Sequence, residues 1–248
     1  MSFNNNLLNI CKQKNNHLCI GLDVDNRKLQ DKTIPYMEGF IKDIIEATID
    51  LCPIYKINLA FYERLGIPGF KLLSKIPQFI NGRAITIADG KRGDIGNSSK
   101  YYAEAIFDTL NFDSITVSPY MGEDSVSPFC INENKGVFIL CLTSNIGSEN
   151  FQNKIIDNKK LYIHVAEFAN NMNQRNNVGL VVGATKNKEM LDLKQYSKSL
   201  PWLIPGVGFQ GGNLEDALKI GLMYNSIPII NVSRGIIYAG NGTIQDIR

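Results

Sequence analysis

Eight short runs of apolar and β-branched residues recur at intervals of roughly thirty residues: CIGLDV (19–24), IYKINLA (54–60), AITIAD (84–89), SITVSP (114–119), VFILCLT (137–143), VGLVVGA (178–184), LIPGVG (203–208) and PIINVS (228–233). Each run is continuously apolar, the pattern of parallel strands buried on both faces. Parallel neighbours need long crossovers, and stretches with helical spacing lie between the runs. Examples are YMEGFIKDIIEATI (36–49), SSKYYAEAIFDTL (98–110), KKLYIHVAEFANNM (159–172) and NLEDALKIGLM (213–223), the last with Asn213 as its N-cap and Asp216 in its first turn. Eight strand–helix alternations without a shift in composition predict a closed (β/α)8 TIM barrel, one α/β domain over residues 1–248. An open doubly wound sheet is the alternative, but it would usually carry fewer strands or a second domain. After the eighth run only GIIYAGNGTIQDIR remains, so the closing C-terminal helix is expected to be short or truncated, at a cost in stability. The Asn-rich start is expected to be a frayed or surface segment.

Composition narrows the partners. With 26 Lys+Arg against 24 Asp+Glu, the formal charge of +2 gives no support to a nucleic-acid footprint. No apolar run reaches the ~18 residues of a membrane span, and the N-terminus does not read as a secretory signal. The five cysteines are odd in number and show no C-x-x-C spacing, which suits reduced, mostly buried thiols in a cytoplasmic protein. With only His17 and His164 present, zinc and histidine acid–base chemistry lose ground, and no thiol is marked as activated. His164, in an amphipathic helical stretch, reads as a structural or surface residue.

Reacting groups in such barrels stand at the C-terminal ends of strands. Asp23 ends the first strand, Lys56 and Asn58 lie on one face of the second, and Asp89 and Lys91 share a face at the end of the third. Lys56 sits among apolar neighbours, where an ammonium is costly unless paired, and Asp89 on the adjacent strand is its natural partner. The run ADGKRGDIGN adds Asp94, giving charges of alternating sign that Lys56 can complete into a four-charge array with both carboxylates ionised and both lysines protonated. A structural ion pair plugging the barrel, or a polar turn before a helix, would explain the glycines but not the matched lysines.

Two further loops look ligand-directed. PGVGFQGGN (205–213) follows the seventh strand and opens a helix, while NVSRGI (231–236) supplies Arg234; loops seven and eight are where such barrels often hold phosphate. Gln210 can add a side-chain donor there. The G-x-G-x-x-G match at Gly206–Gly211 is a decoy for a dinucleotide, because it follows the wrong strand and meets Asn231, not an acid, about twenty residues on. In CLTSNIGSENFQ (141–152), Thr143, Ser144 and Asn145 suit the edge of a heterocycle, in a loop able to close over a ligand.

Together, GLDVD, YKINLAF, ADGKRGDIGN, PGVGFQGG and SRGIIYA, in this order, resemble the orotidine 5′-phosphate decarboxylase family from about residue 19 to 240, most closely its bacterial-type branch. The resemblance implies conversion of orotidine monophosphate to uridine monophosphate and carbon dioxide, the last step of de novo pyrimidine synthesis, by a homodimer with no metal or organic cofactor. It implies that Lys91 protonates C6, that Asp89 faces the substrate carboxylate with Lys56 in the same charge network, and that Asp94 reaches across the dimer interface. It further implies that Asp23 holds ribose hydroxyls, that Asn58, Thr143 and Ser144 lie near sugar or pyrimidine, and that Gln210 and Arg234 grip the phosphate with the backbone around Gly211 and Ser233. Two rivals remain: a magnesium-dependent sugar-phosphate decarboxylase or aldolase on the same barrel, which typically has an acidic ligand where this chain has Lys56, and a non-catalytic nucleotide-binding barrel.

Overall fold

The computed structural model describes residues 1–208, 211–240 and 243–248. The eight apolar runs become strands β1 (Leu18–Gly21), β2 (Ile54–Asn58), β3 (Ile85–Arg92), β4 (Ser114–Val117), β5 (Gly136–Leu142), β6 (Val178–Val182), β7 (Trp202–Pro205) and β8 (Pro228–Val232). Every neighbouring pair is parallel, and β1 pairs with both β2 and β8, so the sheet closes on itself. Closure leaves no sheet edge and buries the strands on both faces, which is why the runs are apolar throughout. All strands but β3, which runs on to Arg92, end earlier than the runs suggest, because the last residues of those runs turn outward into the loops that build the mouth.

The outer layer comprises α2 (Ile34–Thr48), α3 (Gly66–Ile80), α4 (Gly96–Glu104), α5 (Leu161–Met172), α6 (Asn187–Ser197) and α7 (Leu214–Gly221). The Asn213 side chain accepts a hydrogen bond from the Asp216 N–H, capping α7 as its sequence indicates. After β8 the described residues form two four-residue helices, Arg234–Ile237 and Ile244–Ile247. The second nevertheless seals the barrel wall: Ile247 is buried, and Arg248 bonds the Ala47 carbonyl at 2.8 Å and Asp50 at 2.7 Å at the end of α2.

The N-terminus corrects the sequence reading. Phe3–Lys14 is a helix, α1, not a frayed segment. Phe3, Leu7 and Cys11, four residues apart, form its buried stripe and pack with Cys19, Ile54, Ile85, Phe138 and Ile229. Asn4 is buried too and donates to the Val178 carbonyl at 3.1 Å. This helix closes the end of the barrel opposite the mouth. All five cysteines are free and buried, and burial pushes the Cys11 and Cys130 thiols up to about 12, far from a reactive thiolate. Among the described residues no helix is long and apolar enough to cross a membrane.

Candidate active site

The register of β2 on β3 sets Asn58 beside Asp89, with Lys56 two residues earlier on the same face. Lys56 Nζ lies 3.1 Å from Asp89 Oδ2 and 3.6 Å from Asp23 Oδ1, and Lys91 Nζ lies 2.6 Å from Asp89 Oδ1. The four groups therefore form a line of alternating charge: Asp23, Lys56, Asp89, Lys91. Lys56 and Asp89 are buried, whereas Lys91 opens to the mouth. Burial alone would raise the Asp89 carboxyl, but the flanking ammonium groups of Lys56 and Lys91 outweigh it and hold the group well below the usual carboxylate range. Burial likewise opposes the Lys56 charge, yet Asp23 and Asp89 raise its proton affinity above that of an ordinary lysine. Both members of the pair are fixed in their ionised forms.

Lys91 is held by its backbone as well. Its φ of 45° lies in the left-handed region, where a non-glycine residue is strained. The β3–β4 register shifts between Ala88 and Arg92, so Lys91 leaves the regular ladder. Its N–H donates instead to Thr116 Oγ1 at 3.0 Å, and the Thr116 hydroxyl donates to Asp89 Oδ1 at 2.9 Å. One hydroxyl thus orients both the carboxylate and the lysine beside it. Thr116 lies two residues after Ser114, on the inward parity of β4, and that parity is its one signal in the sequence.

Asp94 does not join this line within the chain. β3 ends at Arg92, and the Asp94 carboxylate turns to accept from the Ile95 N–H at 2.8 Å, at the entry to α4. Asp23, beside Lys56 at 3.6 Å, is the second carboxylate of the line within the chain.

The charge line borders a cavity of about 310 Å³ that also meets Asn58, Thr116, Thr143, Ser144 and Asn145. The Asn58 N–H donates to Asp23 Oδ1 at 3.3 Å. Thr143 Oγ1 donates to Asn145 Oδ1 at 2.7 Å, and its N–H donates to Gln152 Oε1 at 2.8 Å. Gln152 closes the base of this loop, a role not singled out from the sequence.

A second cavity, about 460 Å³, adjoins the first and shares Asp23, Pro205 and Asn231 with it. Its walls include Gly206, Gly208, Ser233 and Arg234. Gly206 and Gly208 have φ of 96° and 76°, conformations that glycine adopts freely. The Ser233 hydroxyl is buried without a hydrogen-bond partner among the described residues. Gly21 lets Ser233 approach β1, since a Cβ there would stand 2.7 Å from Ser233 Cβ. Gly211 has φ of 88°, at the edge of this loop, while Gln210 lies outside the described residues. The combined cleft is elongated, with alternating charges at one end, Arg234 at the other and Asp23 between.

Comparison with known proteins shows what the chain as a whole is similar to. Residues 16–244 match the model of the orotidine 5′-phosphate decarboxylase / HUMPS family. An orotidine 5′-phosphate decarboxylase of Dehalococcoides mccartyi is 50% identical over 231 residues, covering 91% of this chain and 85% of that protein. The enzyme of the same name from Christiangramia forsetii is 44% identical over 237 residues, covering 93% and 87%. Among solved structures, Leishmania donovani OMP decarboxylase superposes with a TM-score of 0.89 at 37% identity, covering 100% of this chain and 93% of that one.

Proposed function

The chain belongs to the orotidine 5′-phosphate decarboxylase / HUMPS family, and from that premise we propose that its alternating charge line is the machinery by which it turns over substrate. It is a carboxy-lyase that converts orotidine 5′-phosphate to uridine 5′-phosphate and carbon dioxide, a step of pyrimidine biosynthesis. The observation that carries the mechanism is Lys91 Nζ, 2.6 Å from an Asp89 carboxylate that is itself pinned by Lys56 and Thr116.

Breaking the bond between C6 and the carboxylate leaves an electron pair on C6, in an orbital with no π system to delocalise it. The barrier is then lowered chiefly by fixed charge placed where the negative charge develops. Lys91 supplies an ammonium there. As carbon dioxide departs, Lys91 donates a proton to C6, the electron pair becomes the new C–H bond, and solvent reprotonates the amine. Asp89 faces the departing carboxylate and keeps Lys91 aimed, and Lys56 helps keep Asp89 ionised. Asp23, at the junction of the two cavities, suits the ribose hydroxyls, with Asn58 close by. Thr143 and Ser144 suit the pyrimidine edge. Arg234, Ser233 and the backbone at Gly206, Gly208 and Gly211 suit the phosphate, whose remote binding energy orients the ring.

A homodimer, with Asp94 contributed to the partner's site, fits the exposed apolar side chains beside Asp94. Ile95 and Tyr101 lie at the start and on the surface of α4, and Tyr120 and Met121 lie on the adjoining loop. The two segments are tied where Ser99 Oγ donates to the Ser125 carbonyl at 2.7 Å. Apolar surface of this kind marks an interface.

The test is an absorbance assay of orotidine 5′-phosphate consumption with and without EDTA, on the unsubstituted protein and on Lys91→Ala. Turnover is expected to survive chelation. Lys91→Ala is expected to lose at least about a thousandfold in kcat while still binding uridine 5′-phosphate. Near-normal turnover by that variant would remove Lys91 as the proton donor.

A further inference from the structure

The segment after β6, residues 183–186 with Asn187 at the start of α6, lines neither cavity among the described residues, yet it is bonded to both sides of the cleft. At its root, the Gly183 N–H donates to the Leu142 carbonyl at 2.7 Å and the Ala184 N–H donates to the Pro205 carbonyl at 2.9 Å, fixing it to the ends of β5 and β7. At its tip, Lys186 Nζ donates to Ser148 Oγ at 2.8 Å and pairs with Glu149 at 2.5 Å. Those two residues lie on the far side of the loop that begins with Thr143 and Ser144. The next residue turns the other way: Asn187 Nδ2 donates to Asp216 Oδ2 at 2.6 Å, in the first turn of α7, the helix entered from the Gly206–Gly211 turn.

Lys186 is well suited to its place. Its side chain is only 15% exposed, Ser148 is buried, and the Lys186 hydrogen bond holds the Glu149 carboxyl below its usual range. The Gln152 side chain secures the base of the 143–152 loop, through Thr143. Without Lys186 the opposite side of that loop would keep no ion pair to another segment among the described residues.

Resting on the proposed function, we infer that Lys186 and Asn187 are positioning residues that join the ring-side loop to the phosphate-side helix, so that the two ends of the nucleotide cleft are held as one unit. Neither side chain touches the reacting atoms; both act through loops that do. Because they are adjacent parts of one tie, breaking either link should uncouple the two ends, and breaking the second should add little.

Steady-state kinetics with orotidine 5′-phosphate, and Kd for uridine 5′-phosphate, test this on Lys186→Met, Asn187→Ala, the double variant and Lys186→Arg. Lys186→Met is expected to raise both KM and Kd about tenfold, the size of one charge-assisted hydrogen bond, with kcat nearly unchanged. Asn187→Ala should raise them by a similar factor, the double variant should resemble either single variant, and Lys186→Arg should restore affinity. The Tm of the ligand-free variants should stay within a few degrees of the unsubstituted protein. An unchanged KM and Kd in Lys186→Met, or effects that multiply in the double variant, would overturn the inference. A loss of kcat in step with Tm would overturn it too, by assigning the loop to the fold alone. If the unsubstituted protein showed no turnover, the functional reading would fall, while the uridine 5′-phosphate Kd values would still decide the tie.

Discussion

Two regions of the barrel each bury a lysine, and they treat it in opposite ways. At the mouth, Lys56 is 4% exposed and lies between Asp23 and Asp89. In the wall, Lys194 of α6 is fully buried, its Nζ has no hydrogen-bond partner among the described residues, and it stands 4.2 Å above the centre of the Trp202 ring. The same ammonium is thus driven to opposite ends of its range. Carboxylates lock Lys56 in its charged form, whereas burial pushes Lys194 down to about 7. Burial of a charge is therefore a poor marker of function. What separates the two lysines is a matched counter-charge beside a cavity.

Replacing each with methionine should break the comparison cleanly. Lys56→Met removes the cation between two carboxylates, and Asp23 and Asp89 are then left to repel one another. Turnover is expected to fall by about a thousandfold or more, and stability by roughly 3 kcal/mol, the usual cost of removing one partner from a buried pair. Denaturant melts and orotidine 5′-phosphate kinetics read the two effects separately. A fully active Lys56→Met protein would reduce the charge line to scaffolding. A smaller effect sharpens the same point: Thr116→Val keeps the shape but deletes the hydroxyl that orients Asp89 and the Lys91 backbone. The expected result is about a tenfold fall in kcat with KM nearly unchanged, as befits a hydrogen bond that aims a catalytic group without holding substrate. A rise in KM alone would place Thr116 in substrate binding instead.

The charge line was legible because burying Lys56 among apolar neighbours is tolerable only with a carboxylate in reach, and strand parity supplied Asp89. Parity also explains the closed barrel, since eight doubly buried strands leave an apolar record that no surface element imitates. The limits have equally physical causes. α1 was missed because its stripe of Phe3, Leu7 and Cys11 is one residue wide and set among asparagines. Spacing placed Asp94 with its near neighbours along the chain, but a strand's direction holds only to its end, and past Arg92 the chain turns away. Thr116 is an unremarkable residue for a strand, so only its contacts reveal its place. The ties made by Gln152 and Lys186 join loops whose approach no local period encodes.

The smallest effect concerns Lys194, and it should run opposite to that of Lys56. In the unfolded chain this lysine keeps its proton up to about pH 10.5; in the folded protein it does so only up to about pH 7. The unfolded state therefore binds more protons between these values, so the site's contribution to stability rises with pH across that window. At and below pH 7 the full cost of a buried, unpaired ammonium is present, although attraction to the indole face offsets part of it. Lys194→Met should then stabilise the protein by on the order of 1–3 kcal/mol near pH 7, with the gain shrinking toward pH 10.5 and turnover unaffected. Trp202 is the only tryptophan in the chain, so its fluorescence should titrate near pH 7 in the unsubstituted protein and not in the variant. A stability difference that stays flat with pH would mean that Lys194 finds its charge compensated in the wall, and the contrast with Lys56 would vanish.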